Sequence, residues 1–294
     1  MSDNPLPVAR KLEPMNFVSL FQRVAELRRD AFVKLCVADL ILMSLAALPG
    51  LLLAMSFADL LQTNAALAIL LQFFGSLVTL AVSFVLTTAW LRLLGSGEIA
   101  SGIPFRFAAS EKSAALASLF VSGFLLGVGV VGAASFAGMT AIMPGLGTVV
   151  FLLGLAGALA GAYCLIRLMP LVGMSFFNQR VELAAAWTRG GEIFTTLFLA
   201  TLVLVFASIV IGLFGEALKF GLSAVAGIQF VQPGQFPPAI TGAGSVFAMI
   251  QYVLIGLLLR LMQYSVITYA AQSNADSEWW QEIRALEVRD ADAD

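Results

Sequence analysis

The sequence predicts an all-α polytopic membrane protein: a helical bundle of six transmembrane helices arranged as three hairpins, with short amphipathic helices at the interface. Three observations carry this. Hydrophobic residues make up 60% and charged residues 12% of the 294 positions, where soluble domains run at about 45–50% and about 25%. Mean hydropathy is +0.95. The apolar residues gather into six runs, each near the 20 or so residues that a bilayer span requires. All of the 16 Lys and Arg except Lys219 fall in segments that one orientation places on a single side.

Taken in chain order, residues 1–14 are expected to be a disordered tail. Asn16 to Asp30 follows, with Phe17, Leu20, Phe21, Val24 and Leu27 at helical spacing and Gln22, Arg23, Glu26, Arg28 and Arg29 between them. This is an amphipathic helix with Asn16 as its expected N-cap. Lying ahead of a span, it is expected in the interface, with Arg23, Arg28 and Arg29 at lipid headgroups and the apolar side inserted. The competing reading is a soluble-type helix packed on the bundle.

The membrane domain is expected over 15–272, with spans at about 35–57, 65–91, 114–138, 148–169, 193–215 and 245–271. Arg10, Lys11, Arg23, Arg28, Arg29 and Lys34 precede the first span. Arg92, Arg106 and Lys112 surround the second-to-third connection, and Arg167, Arg180 and Arg189 the fourth-to-fifth. Arg260, Arg284 and Arg289 belong to the last span and the tail. The positive-inside rule then puts both termini in the cytoplasm, which an even number of spans satisfies. A signal peptide is the rival reading of the first run, but the polar stretch before it and the run itself are both too long.

Short helices of the same kind are expected at Pro104–Lys112 and Val181–Arg189, the second with Trp187 suited to an interface. Ile193 to Val231 is too long for one span. A separate outer helix or shallow re-entrant piece is therefore expected at Glu216–Phe230, ahead of a turn-rich break at Gln232–Pro238. Residues 273–294 form an acidic cytoplasmic tail, with a short helix anchored by Trp279 and Trp280 and a disordered end.

Leu91-Arg92-Leu93-Leu94, Ile166-Arg167-Leu168-Met169 and Leu259-Arg260-Leu261-Met262 each lie toward the same end of an even-numbered span, 75 and 93 residues apart. One reading is a repeated unit, a short helix followed by a transmembrane hairpin, with the extra length taken up by a loop. The other is coincidence in an apolar composition.

The absence of histidine excludes Ser-His-Asp chemistry, imidazole metal ligation and histidine-held haem. Cys36 and Cys164, the 2 cysteines, are too few for a zinc site and read as inert buried thiols unless they meet in space. No basic stripe points to nucleic acid. Gly127 to Gly132 spells a dinucleotide fingerprint, but it lies mid-span with no strand before it and Leu152 where an acid is needed. The pairs Gly123/Gly127 and Gly157/Gly161 read instead as close helix packing. Pro49-Gly50 and Pro170 fall near span ends and are expected to terminate helices.

Charge within a span is costly. Asp39, Arg167 and Arg260 are therefore the candidate intramembrane polar site, an acid paired with an arginine in an inward-facing cavity. Against this stands snorkelling, in which each side chain reaches the headgroups and binds nothing. Snorkelling is the preferred reading of Asp39, Arg167 and Arg260, and of Arg92 as well. No phosphate loop, paired-carboxylate arrangement or nucleophile elbow is present, so no catalytic, metal or cofactor residue is assigned and no enzyme is expected.

The stretch Arg167-Leu-Met-Pro170, continuing to Ala184-Ala-Ala-Trp187-Thr-Arg-Gly190 and a further span, resembles YciC-like six-span bacterial membrane proteins and the membrane domain of some glycerophosphodiester phosphodiesterases. The opening, Phe21 to Leu35, is also similar. The resemblance implies a multi-pass protein of the bacterial inner membrane. It implies no diesterase activity, because those enzymes catalyse in a separate histidine-dependent domain. The expected function is that of an envelope or membrane-homeostasis factor binding membrane lipids or a membrane-protein partner, with neither oligomeric state nor ligand readable. The alternative is a small-solute transporter or channel with Asp39, Arg167 and Arg260 around an inward cavity. A third reading is an assembly subunit whose partner contacts Trp279 and Trp280.

Overall fold

The computed structural model describes residues 13–56, 65–98, 108–142, 147–226, 242–272, 275 and 277–293. Among these every regular element is a helix: α1 Pro14–Leu27, α2 Arg29–Ser56, α3 Ala65–Ser96, α4 Ala109–Ile142, α5 Gly147–Leu168, α6 Pro170–Phe177, α7 Leu183–Glu192, α8 Phe194–Ala226, α9 Gly242–Gln272 and α10 Glu278–Ala293.

Five stretches are long and apolar enough to cross a membrane: Phe73–Ser96, Ala109–Gly129, Phe151–Phe177, Phe194–Gly221 and Val253–Gln272. The chain is thus a multi-pass membrane protein. Residues 35–56 of the expected first span lie within α2, which is not among these five, and residue 57 lies outside the described residues. Expected features at 1–12, 104–107 and 227–241, including the break at Gln232–Pro238, also lie outside them.

Several elements depart from expectation. Pro14 opens α1, because its fixed φ suits the first helical position and its missing N–H is not needed there. Asn16 therefore sits inside the first turn, its backbone N–H donating to Glu13 O at 3.1 Å, and is not the N-cap residue. A single residue, Arg28, separates α1 from α2. Helix α2 runs through Pro49-Gly50 to Ser56 rather than ending there. Helix α8 continues unbroken for 33 residues, about 50 Å at 1.5 Å per residue, against a hydrocarbon core of about 30 Å. The separate element expected from Glu216 onward is instead the extension of α8 as far as Ala226.

Other boundaries follow the sequence. Gly97 takes φ 64° and its N–H donates to Leu93 O at 3.1 Å, closing α3 with a left-handed cap that glycine adopts without strain. Met169 separates α5 from α6, and Pro170 takes the first position of α6. Beyond α6 the chain turns through Gln179 at φ 56°. Glu182 receives Asn178 Nδ2 at 2.8 Å and pairs with Arg180 just before α7. Ser277 Oγ accepts from the Trp280 N–H at 3.4 Å, the side-chain cap that starts α10.

The described residues fall into two compact units. The first draws on Met1–Leu20, Phe107–Leu202 and Ser265–Asp294. In it α4 packs on α5 and α6, and α7 packs on α5 and α6. Phe17, Leu171, Leu197, Trp280 and Ile283 are fully enclosed. Tyr269 joins the ends of the chain: its ring lies 4.6 Å from Phe17 and 5.5 Å from Trp280, and it is hydrogen-bonded to Glu287 at 3.0 Å. The acidic tail is therefore a docked helix, and Trp279 and Trp280 are buried rather than offered to a partner.

The second unit draws on Phe21–Arg106 and Val203–Tyr264. Helices α2 and α3 pack together, and Leu86, Trp90, Leu91 and Leu94 of α3 are enclosed. In both units large apolar side chains away from the buried ends face outward, among them Phe73 and Phe74 of α3, Phe151 and Leu159 of α5, and Phe206 and Phe214 of α8. Exposure on this scale in water would drive association; it is the surface that membrane-crossing helices present.

The glycine pairs do not act as expected. Among the described residues a Cβ on Gly123, Gly127 or Gly157 would meet nothing within 4 Å, and of the four Gly161 alone makes a close approach, to Val128. The true close contacts are at Gly173, whose added Cβ would lie 2.8 Å from Ala271 Cβ, and at Gly190, where it would strike the Arg167 carbonyl.

Candidate functional site

Two arrangements of polar and aromatic side chains stand out, one in each unit. In the second unit Asp39 of α2 has no exposed surface. An ionised carboxylate tolerates that only if its oxygens are supplied with donors. Both are. Arg260 Nη2 of α9 donates to Oδ1 at 2.5 Å, and Trp90 Nε1 of α3 donates to Oδ2 at 2.9 Å. Gly256, one turn before Arg260, leaves room for the guanidinium, which lies 2.9 Å from where a Cβ would sit. Thr87 and Tyr264 are hydrogen-bonded at 3.2 Å, a second polar tie between α3 and α9. Phe32 of α2 meets the edge of Trp90 at 5.3 Å. Three helices converge on one carboxylate, whose charge is answered by Arg260.

Arg167 does not join this pair. It belongs to the first unit, at the end of α5. Its guanidinium lies 4.2 Å from the centroid of the Trp187 ring and 5.6 Å from that of Tyr163. Nη1 donates to Tyr163 Oη at 2.9 Å and Nη2 to Trp187 O at 3.2 Å. Gly190 and Gly191 of α7 press against its backbone and its guanidinium. Tyr163 also meets Phe194 at 5.1 Å, so the cation sits in a group of aromatic rings. Sequence reasoning placed Trp187 at an interface but missed its stacking on Arg167. The four-residue spacing of Tyr163 and Arg167, which puts both on one helix face, was the available signal. Trp90 was missed as well; a buried indole N–H needs an acceptor, and Asp39 was the one acid named within a span.

Of the expected headgroup contacts, Arg28 and Arg29 are exposed at the α1–α2 junction. Arg23 is buried, at 9% exposure, and does not face outward. The apolar face of α1 is likewise enclosed by protein: Phe17, Leu20 and Val24 have no exposed surface and cannot enter lipid. The packed-helix reading of α1 is the one the structure has. Arg92 is buried too, so it does not reach out as a snorkelling side chain would. Cys36 and Cys164 are both free, and residues 127–132 lie inside helix α4.

No family model, curated protein or solved structure matches this chain.

Proposed function

We propose that the protein is a non-enzymatic, six-span component of a bacterial inner membrane, with both termini cytoplasmic. It acts as an envelope or membrane-homeostasis factor by binding anionic lipid at its basic helix ends. One contrast carries this reading. The acid inside the spans is enclosed and held by Trp90 and Arg260, whereas Arg28 and Arg29 are exposed to the surroundings where α1 meets α2. Exposed basic residues beside a span attract anionic headgroups at about 1 kcal/mol each. The six long helices support three hairpins, two of them through the packing of α2 on α3 and of α4 on α5. The YciC-like resemblance accords with such a protein.

Native mass spectrometry of the detergent-solubilised protein tests the reading. Retained phosphatidylglycerol or cardiolipin in preference to phosphatidylethanolamine is expected. Equal retention of neutral and anionic lipid, or a small polar solute with no lipid, would overturn it.

A second reading, solute movement past the charge pair, draws on one observation. Arg260 Nε is buried and has no hydrogen-bond partner among the described residues. Ionisable groups within spans often mark transport paths. If transport is the function, Arg260→Ala abolishes flux in reconstituted vesicles while the protein still inserts.

A further inference from the structure

We infer that Arg167, with Tyr163 and Trp187, forms a recognition site for the phosphate of an anionic phospholipid headgroup. The inference rests on the lipid-binding reading and gives it a place in the first unit.

Arg180, Arg189, Lys219 and Arg260 each have a carboxylate partner. The partners of Arg167 are a phenol oxygen, a backbone carbonyl and two ring faces, none of which carries a full negative charge. The C-terminus of α5 supplies only the partial charge of its carbonyls. A permanent cation at the end of a span thus lacks a counter-ion among the described residues.

The guanidinium is also held in one orientation. Two hydrogen bonds, the Trp187 face and the closeness of Gly191 fix the guanidinium plane before any ligand arrives. Such preorganisation lowers the entropic cost of binding. Each terminal nitrogen of an arginine carries two N–H donors, and one on each is used here. The other two remain for the oxygens of an anion such as a phosphate.

Position selects a lipid over a soluble anion. Arg167 follows directly on the outward apolar surface of α5, where Phe151, Leu155 and Leu159 are exposed. That surface suits an acyl chain. Tyr163 and Trp187 are the amphipathic aromatics that settle at headgroup depth. Free phosphate shares the recognition chemistry but has no use for the apolar track.

Trp187 supplies the assay. It is half-buried, whereas Trp90, Trp279 and Trp280 are buried at 0%, 7% and 1% exposure. The full-length protein is reconstituted in phosphatidylcholine vesicles containing brominated-chain phosphatidylglycerol or, separately, brominated-chain phosphatidylcholine, and tryptophan quenching is read. Preference for the anionic lipid of about fivefold is expected, lost in Trp187→Phe and reduced to parity in Arg167→Gln. Millimolar inorganic phosphate is expected to leave the preference unchanged; if it abolishes the preference, the site takes free phosphate and the lipid assignment falls. Should Arg167→Gln fail to fold, Arg167→Lys keeps the charge but loses the guanidinium and is expected to at least halve the preference; an unchanged value overturns the proposal. Retention of anionic lipid by mass spectrometry without an Arg167-dependent preference sinks this site alone. Absence of anionic lipid in both assays sinks the wider reading.

Discussion

Asp39 and Arg260 stand 221 residues apart in sequence and meet as a 2.5 Å ion pair. The acid is wholly enclosed and the arginine side chain is 16% exposed. The bond ties the helix after the amphipathic segment to the last long helix, and Trp90 on α3 fixes the other carboxylate oxygen. Its first consequence is for stability.

Removing one partner of an enclosed pair leaves the other charge stranded, at a cost of about 3–5 kcal/mol. Asp39→Ala is expected to lower the unfolding midpoint in detergent sharply. The double substitution Asp39→Leu with Arg260→Met is expected to recover most of that loss, since neither charge then needs an answer. A double-mutant cycle checks this; additive losses would show that the two residues act independently.

Trp90→Phe keeps the ring that Phe32 packs against and deletes the indole donor. Loss of a hydrogen bond to a charged group costs about 1.5–3 kcal/mol. The midpoint should fall by less than in Asp39→Ala, and in the Asp39→Leu, Arg260→Met background, where the buried indole N–H has lost its acceptor, Trp90→Phe should be neutral or stabilising.

Gly190→Ala would drive a methyl group into the Arg167 carbonyl. The carbonyl belongs to a helix and cannot yield cheaply, so α7 must shift away from α5, at about 1–3 kcal/mol. Gly157→Ala meets nothing within 4 Å and is expected to be neutral or slightly stabilising, as alanine favours helix. Thermal unfolding of the pair in one detergent separates the two. Equal effects would contradict the packing described.

Arg28→Gln with Arg29→Gln is expected to reduce retention of anionic lipid by about tenfold or more, from about 1 kcal/mol per exposed cation. Arg23→Gln is expected to leave lipid retention alone and to lower stability, because Arg23 is buried. Native mass spectrometry and thermal unfolding of the same preparations decide it. Lipid loss on Arg23→Gln would contradict the placement.

The long helices were legible because bilayer thickness imposes a length on apolar runs that composition cannot hide. Asp39, Arg167 and Arg260 were legible as candidates because charge within a span is costly, but snorkelling met that cost as well as pairing did. The choice between Arg260 and Arg167 was not legible, since both follow the same local pattern and only packing against Trp187 and Tyr163 draws Arg167 aside. The α1 face misled because a helix amphipathic enough for an interface is equally fit to be covered by protein, as Phe17 is by Tyr269. Pro49 and the span-three glycines misled for the opposite reason. Proline and glycine report what a backbone permits, and α2 continues through the proline while Gly123 and Gly127 meet open space.

The central claim is a chain threaded through the bilayer in three turns, its cationic helix ends held by one leaflet. Cysteine labelling in intact cells tests it most directly, in a background lacking Cys36 and Cys164. Gln62→Cys and Pro144→Cys are expected to react with an impermeant maleimide added outside, and Ala185→Cys only after the inner membrane is opened. Protection of either of the first two, or labelling of the third in intact cells, would contradict it.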